Sequence, residues 1–286
     1  MAVTQVAMDE AQIQTGKVYL IGAGPGDPKL LTIKAAEALG ASDVIVYDYL
    51  VNPEVLAHSR RNSELIYVGK RAGKPSPSQS EINRILITKA REGLTVSRLK
   101  GGDPFIFGRG GEEAEALIEA CIEWELIPGI SSGIAAAAYA GIPLTHRDYS
   151  SSVAFITGHD ARSNGKRPVN WSITAHAAET LVIFMCGETI AAIAREMIDA
   201  GRRASTPVAI IRWGTYSYQE VYSGTLKDLA VTSCEDDSDI RIDPPAIAVV
   251  GDVVSLQDKL HWFGDLSARH SLGSLSCGEA VPVLKS

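Results

Sequence analysis

Short apolar runs alternate with amphipathic stretches along the first half of the chain. Runs bounded by glycine or polar residues predict buried strands, and apolar positions with helical spacing follow them. Ser78 and Glu81 have the spacing of a capping box and mark one helix start. Gly40 and Gly141 are expected helix stops. The prediction is strands at 17–21, 43–47 and 94–99, and helices at 32–39, 112–124 and 132–139.

The second half repeats this pattern after a polar stretch that follows residue 158. Strands are predicted in SVAFITG, TLVIFM, TPVAIIRWG, EVYSGTL and PAIAVVG, with one helix running up to Gly201. Strands and helices in alternation are typical of α/β folds and imply parallel pairing. We therefore expect two α/β domains, at 16–149 and 150–264, with flexible tails at 1–15 and 267–286.

Composition and charge exclude several classes of protein. The chain is 45% hydrophobic, yet it has neither an apolar run long enough to span a bilayer nor a start like a signal peptide, so we expect it to stay in the cytoplasm. A formal net charge of −7 argues against a nucleic-acid-binding surface. Four cysteines without C-x-x-C spacing, Cys121, Cys186, Cys234 and Cys277, indicate neither a metal site nor a disulfide framework.

The stretch VYLIGAGPGDPKLLT resembles the start of a nucleotide-binding fold. Its glycines, however, have the spacing G-x-G-x-G, and Asp27 stands where a dinucleotide fingerprint has its third glycine. Pro25 and Pro28 lack the N–H groups with which such a loop surrounds pyrophosphate. Asp48 lies about where a ribose-binding acid is expected. A dinucleotide loop, a structural turn and a loop for another nucleoside all remain open.

The stretch RLKGGDPFIFGRGGEE is more specific than the first loop. A strand is expected to end at Lys100, and Gly101 and Gly102 would let a ligand lie against the main chain. Ligands of open α/β sheets lie beyond the carboxyl ends of the strands. Asp103 can accept hydrogen bonds from hydroxyl or ammonium groups, or it can simply cap a tight turn.

Several strings together resemble the tetrapyrrole methylases. They are GAGPGDPKLLT, VYDYLV, YVGKRAGK, EINRIL, RLKGGDPFIFGRGGEE, PGIS and AGIPLTHRD, in the order and spacing of that family, and the similarity extends over about 16–263. The resemblance implies two α/β domains of the class III methyltransferase type with the active site in the cleft between them, usually in a homodimer. It also implies that S-adenosylmethionine methylates uroporphyrinogen III at C2 and C7, giving precorrin-2 and S-adenosylhomocysteine, in sirohaem or cobalamin biosynthesis.

The same resemblance implies which residues contact the cofactor. Taken alone, Met185 ends an apolar strand and would be assigned to the core. The PGISSGIAAAA stretch departs from the family pattern, but its serines keep a hydroxyl group. The implied cofactor-contacting residues are Pro25, Gly101, Gly102, Asp103, Ile106, Ser131, Ser132, Met185 and Gly214.

A polyanionic tetrapyrrole requires cations, because the protein as a whole is acidic. Arginine is favoured since its guanidinium group binds carboxylates at two points. The expected substrate-binding residues are Arg109, Glu112, His146, Arg147 and Lys100. Glu112 either holds Arg109 or contacts a pyrrole N–H. Outside this cluster, His146 would be a turn histidine, and Lys70 and Lys100 would be solvated lysines.

By the same resemblance, Asp48 is the expected proton acceptor and Lys70 the proton donor. Asp48 could instead cap the next helix. Two other functions remain as alternatives to the methylation of uroporphyrinogen III. One is methylation of a later corrin intermediate, and the other is nicotinamide-dependent oxidoreduction.

Overall fold

A computed structural model of the chain describes residues 15–69, 77–158, 169–187, 189–231, 242–265 and 269–272. These residues form two compact units. Unit 1 consists of the residues up to Ala23 together with Leu31–Gly129. Unit 2 consists of Gly24–Leu30 together with the residues from Ile130 onward. None of the helices in the described ranges combines the length and apolar character that crossing a bilayer requires.

Unit 1 is an α/β unit around one parallel sheet. Its elements are β1 (Lys17–Gly22), α1 (Ile33–Ala41), β2 (Val44–Tyr47), a 3₁₀ helix (Pro53–His58), β3 (Glu64–Tyr67), α2 (Gln79–Arg91), β4 (Val96–Lys100), α3 (Gly110–Glu119) and β5 (Glu123–Ile127). The strand order is β3-β2-β4-β1-β5, and every pairing is parallel. The predicted parallel sheet is therefore confirmed for this unit.

Local capping explains where two helices of unit 1 begin. The Thr32 side chain accepts a hydrogen bond from the Ala35 N–H at the start of α1. At α2 the predicted capping box is confirmed, because Glu81 N–H donates to Ser78 Oγ and Ser78 N–H donates to Glu81 Oε2. Each bond satisfies a backbone donor that a helix start leaves without an intrahelical partner.

Two predicted helix ends in unit 1 are corrected. Gly40 does not stop α1, which continues to Ala41. The helix predicted at 112–124 ends at Glu119, and Cys121 then takes the left-handed φ of 56° that usually favours glycine after a helix. The chain enters β5 at Glu123. Strands β3 and β5 were not predicted.

Apolar side chains cover both faces of the unit 1 sheet. Val18 and Val46 pack with Leu86 of α2 on one face. Ile45 and Leu99 pack with Leu39 of α1 on the other. Burial on both faces accounts for the apolar runs of β1 and β2, and the strand ends remain as the places for chemistry.

Unit 2 is built around a mixed sheet. Its elements are α4 (Ser132–Tyr139), β6 (Val153–Thr157), α5 (Trp171–Thr174), β7 (Thr180–Phe184), α6 (Ile190–Asp199), β8 (Pro207–Arg212), β9 (Glu220–Thr225), α7 (Leu226–Val231), β10 (Ala246–Val250) and β11 (Arg269–Ser271). The strand order is β11-β9-β8-β10-β7-β6. The β7–β10, β10–β8 and β8–β9 pairs are antiparallel, so the expectation of parallel pairing is wrong here. Short connections such as that between β8 and β9 favour the antiparallel arrangement.

The observed division of the chain differs from the predicted one. Apart from the segment Gly24–Leu30, unit 2 begins at Ile130 rather than near residue 149, because α4 packs on the unit 2 sheet through Ala136 and Ala137. The predicted tail at 267–286 is corrected for residues 269–272, since β11 pairs with β9 and Leu272 is buried.

Candidate functional site

Three glycine-containing segments meet at the carboxyl edge of the unit 1 sheet. Gly22 ends β1, and a Cβ atom there would lie 2.5 Å from Gly129 Cα and 2.6 Å from the Gly102 carbonyl oxygen. Gly102 has a left-handed φ of 68°. A Cβ at Gly101 would meet Leu50 Cβ at 2.6 Å. The predicted turn thus lies directly after β4, at the edge where open α/β sheets bind ligands.

Asp103 fastens this turn to the chain beyond β5. Its Oδ1 accepts a hydrogen bond from Phe105 N–H at 2.8 Å, and its Oδ2 accepts one from Gly129 N–H at 3.1 Å. Both carboxylate oxygens therefore already have backbone donors, as the simpler interpretation of a turn with an Asp cap predicts. The direct role of Asp103 in unit 1 is to fix the backbone around Gly102.

The loop between β4 and α3 is strained and exposes apolar side chains. Phe107 and Arg109 have left-handed φ values of 53° and 58°, and Gly110 N–H donates to the Pro104 carbonyl at 2.9 Å. Non-glycine residues in this region cost about 1–3 kcal/mol each and are concentrated at functional sites. The exposed apolar side chains are Phe105, Ile106 and Phe107.

Arg109 and Glu112 form an exposed ion pair at the start of α3. Arg109 donates from Nε to Glu112 Oε1 at 2.8 Å and from Nη2 to Oε2 at 2.7 Å. These bonds lower the pKa of the Glu112 carboxyl and raise that of the Arg109 guanidinium. Of the two roles predicted for Glu112, holding Arg109 is the one the structure contains.

Asp48 lies directly after β2, about one quarter exposed at its side chain. Its Oδ2 accepts a hydrogen bond from Arg98 Nη2 at 3.3 Å, and its Oδ1 accepts one from Leu50 N–H at 3.3 Å. The alternative in which Asp48 caps the next helix is wrong, because Asn52 caps the 3₁₀ helix that follows. A partly exposed carboxylate is one of the side chains that can serve as a general base.

Lys100 is not the solvent-facing lysine that the sequence suggests. Its side chain is 5% exposed, and Nζ donates to Glu113 Oε1 at 2.8 Å. Burial lowers the pKa of the Lys100 ammonium, and the neighbouring Arg98 adds to this effect, whereas Glu113 opposes it. The expected contact of Lys100 with substrate is therefore corrected to an internal ion pair. Sequence reasoning missed Arg98 and Glu113.

In unit 2, the segment Gly24–Leu30 packs on the loop between β8 and β9. A Cβ at Gly26 would lie 2.3 Å from the Tyr216 ring, and Asp27 N–H donates to Thr215 Oγ1 at 2.9 Å. The Tyr139 hydroxyl donates to Asp27 Oδ2 at 3.0 Å. This loop runs into a 3₁₀ turn rather than an α-helix, so it lacks the helix N-terminus of a dinucleotide site.

Helix α4 brings small residues against the unit 2 sheet. A Cβ at Gly133 would lie 2.4 Å from the Phe184 ring, and one at Gly214 would lie 2.3 Å from Ala136 Cβ. Ser131 precedes α4 without a side-chain cap bond and is buried, while Ser132 begins the helix and is partly exposed. Gly214 is thus required by its contact with α4.

Met185 follows β7 in a left-handed conformation with φ of 52°, and it is 50% exposed. The core assignment made from the sequence alone is therefore wrong. Trp213 and Thr215, on either side of Gly214, are left-handed as well, with φ of 49° and 73°. Strained backbone in unit 2 thus includes one predicted cofactor position, Met185, and lies on both sides of another, Gly214.

His146 and Arg147 lie in the turn that follows α4. His146 Nδ1 accepts a hydrogen bond from Asp148 N–H at 3.1 Å, and the backbone groups of His146 pair with those of Ser150. His146 therefore has the turn role that was its simpler interpretation. Arg147 is exposed and makes no ion pair or hydrogen bond with any residue that the structure describes. Lys70 lies outside the described residues.

Comparison with known proteins gives one family. Residues 17–230 match the sequence profile of the Tetrapyrrole (Corrin/Porphyrin) Methylases. Uroporphyrinogen-III C-methyltransferase of Bacillus subtilis is 49% identical over 248 residues, which are 87% of this chain and 95% of that protein. Siroheme synthase 2 of Aeromonas salmonicida is 48% identical over 260 residues, 91% of this chain and 52% of that protein. The chain thus spans about half the length of the Aeromonas relative.

A solved structure agrees with these sequence matches. Uroporphyrin-III C-methyltransferase of Thermus thermophilus, complexed with S-adenosylhomocysteine, superposes with a TM-score of 0.71 and 36% identity. The match covers 84% of this chain and 100% of the Thermus chain. The likeness therefore extends to the fold as well as to the motifs.

Proposed function

Because the chain belongs to the tetrapyrrole methylase family, we propose that it transfers methyl groups from S-adenosylmethionine to C2 and C7 of uroporphyrinogen III, giving precorrin-2. The observation that carries the proposal is the 49% identity to the Bacillus subtilis enzyme, which extends over 95% of that protein. The product would serve sirohaem or cobalamin biosynthesis. The Aeromonas siroheme synthase and its shared region support the first of these.

S-adenosylmethionine, when bound, supplies a methyl group on a positively charged sulfur. With the methyl group activated in this way for an electron-rich pyrrole carbon, the chain would need no covalent nucleophile of its own. The contribution of the chain is to orient the two molecules in line and to accept the proton that the macrocycle loses after methylation. We assign the role of proton acceptor to Asp48 and the role of proton donor to Lys70.

In each unit we propose residues as contacts for the cofactor. In unit 1, the turn at Gly101 and Gly102 lies at the carboxyl edge of the sheet, where ligands of such sheets bind, and the exposed Ile106 offers an apolar surface. In unit 2, the exposed Met185 and the hydroxyl of Ser132 offer an apolar and a polar contact. The proposed set also keeps Pro25, Ser131, Gly214 and, through its hold on the turn, Asp103.

Arginines carry the proposed recognition of substrate carboxylates. Arg109 lies on the rigid start of α3 in unit 1, and Arg147 is exposed in unit 2. His146, beside Arg147, stays in the proposed substrate-binding set, and its Nδ1 accepts a hydrogen bond from the Asp148 N–H. In an acidic protein, such local cations are what makes a polyanionic ring a suitable ligand.

We further propose that the protein acts as a homodimer in the cytoplasm, as the family resemblance implies. The small tetrapyrrole is its expected partner, with no nucleic acid or membrane. Light scattering at several protein concentrations measures the mass of the particle. A monomer throughout would contradict the dimer.

Mass spectrometry of uroporphyrinogen III incubated anaerobically with the protein and S-adenosylmethionine tests the function. Two added methyl groups are expected. Methylation of a later corrin intermediate with none of uroporphyrinogen III would identify the alternative methylase. Calorimetry with S-adenosylhomocysteine and with NADH is the matching binding test, and tight binding of NADH alone would overturn the methylase.

A further inference from the structure

Three charged side chains of unit 1 are almost completely shielded from solvent. Arg98 and Glu113 are 3% and 0% exposed at their side chains, and Lys100 is 5% exposed. Glu113 Oε1 accepts hydrogen bonds from Arg98 Nε at 3.1 Å and from Lys100 Nζ at 2.8 Å. Gln79 Nε2 donates to the same oxygen at 3.1 Å. The cluster joins β4 to α3 and α2.

Stability alone is a weak reason for such a cluster. Removing ions from water costs several kcal/mol each, and apolar replacements of similar volume are often neutral or stabilising. A buried ionic cluster is therefore better explained by a group that it orients. In unit 1 that group is at the Nη2 end of the Arg98 side chain.

All three nitrogen atoms of the Arg98 guanidinium donate hydrogen bonds. Its Nη1 donates to the carbonyls of Val46 and Leu99 at 3.4 and 3.2 Å. Its Nε is bound to Glu113, and its Nη2 reaches Asp48 Oδ2 at 3.3 Å. Since the guanidinium is planar, fixing Nε and Nη1 also fixes the direction of Nη2.

We propose that Glu113 is a positioning residue for the methyl transfer proposed above, because its buried carboxylate anchors Arg98 and Arg98 in turn orients Asp48. The expected effect on methyl transfer rests on the proposed function. The contacts from Glu113 to Arg98 and from Arg98 to Asp48 are features of unit 1 and do not depend on it. Glu113 touches neither substrate nor cofactor in this account. It acts through Arg98 on the partly exposed carboxylate at the end of β2.

A double-mutant cycle with Asp48 tests the proposal. We expect Glu113→Ala to lower kcat about tenfold or more, while the affinity for S-adenosylhomocysteine stays within about twofold. In an Asp48→Asn background, the same change should alter kcat less than about twofold, because the group that Glu113 positions is already disabled. Equal fold losses in both backgrounds, or full kcat in Glu113→Ala, would overturn the proposal.

Two further variants separate positioning from general damage. Glu115→Ala removes an exposed carboxylate from the same helix and should leave kcat unchanged. Glu113→Gln keeps an oxygen for the three donors, and Glu113 Oε2 has no partner among the described residues, so the new amide meets no donor there. This variant should retain more activity than Glu113→Ala. Equal loss in the two would contradict anchoring by the hydrogen bond.

Thermal unfolding shows whether each variant folds. If Glu113→Ala does not fold, the double variant Lys100→Met/Glu113→Ala replaces it in the cycle, since that pair removes one charge of each sign.

If the wild-type protein does not methylate uroporphyrinogen III, the proposed function fails, and a crystal structure of the Glu113→Ala variant then tests the anchoring of Arg98. We expect the contact between Arg98 Nη2 and Asp48 Oδ2 to be lost, and an unchanged contact would refute the anchoring role.

Discussion

Arg109 binds both carboxylate oxygens of Glu112, three residues later on α3, through its Nε and Nη2 atoms. This is the two-point geometry with which arginine recognises any carboxylate. A propionate or acetate side chain of the proposed substrate would therefore compete with Glu112 for the same edge of the guanidinium. Both side chains are more than half exposed, so the exchange needs no unfolding.

Arg109→Ala is expected to raise KM for uroporphyrinogen III by about ten- to a hundredfold. This is the loss expected when hydrogen bonds to a charged group are removed. Affinity for S-adenosylhomocysteine should stay within about twofold, because Arg109 is assigned to substrate. Steady-state kinetics and calorimetry measure the two. Arg84→Ala on the exposed side of α2 is the matched control. Equal weakening of both ligands would remove Arg109 from substrate recognition.

Glu112→Gln tests whether Glu112 competes with a substrate carboxylate for Arg109 or holds Arg109 in position for it. If the carboxylate of Glu112 occupies the place of a substrate carboxylate, its removal should lower KM for uroporphyrinogen III by about two- to fivefold, as expected for an exposed ion pair. Glu115→Gln on the same helix should leave KM unchanged. A rise of KM in Glu112→Gln would show that Glu112 supports Arg109 instead.

Asp103→Ala should destabilise unit 1, because Phe105 N–H and Gly129 N–H both lose their acceptor. The expected loss is about 1–3 kcal/mol in the free energy of unfolding, measured by urea denaturation. Cofactor affinity should fall with it, since the turn at Gly102 is no longer fastened. Asp103→Asn keeps one acceptor oxygen and should lose less of both. Unchanged stability would mean that these two bonds contribute nothing.

Met185→Gly tests whether the strained backbone in unit 2 serves the cofactor. Glycine adopts a φ of 52° without strain, and the half-exposed side chain loses little packing, so stability should rise by about 1 kcal/mol. Affinity for S-adenosylhomocysteine should fall because an apolar contact is removed. Cys121→Gly, at another exposed left-handed position, should raise stability with no change in affinity. A gain in stability with full affinity for Met185→Gly would contradict the cofactor role.

The sequence predicted features whose cause is local. The capping box at Ser78 and the turn after Lys100 depend on residues within a few positions of each other, and both are confirmed. The end of α3 was missed because a cysteine, rather than a glycine, adopts the left-handed conformation after it. No residue near Cys121 is of a type that predicts the end of a helix.

Features that depend on distant partners were not predictable. The burial of Lys100 follows from a carboxylate on α3, which only the packing of α3 on the sheet brings to the end of β4. The alternative in which Asp48 caps a helix failed for the same reason, since its partner Arg98 is on a neighbouring strand. Spacing along one chain carries no information about such pairs.

The excursion of Gly24–Leu30 into unit 2 has a consequence for how the protein is made. Asp27 emerges early in synthesis, yet its backbone N–H bonds to the hydroxyl of a residue 188 positions later. Such a long closure slows folding, so the early segment must wait for nearly the whole polypeptide. A single cleavage after Gly129 would also leave the later fragment without the stretch that covers its Tyr216 ring, so the two halves are not separable by one cut.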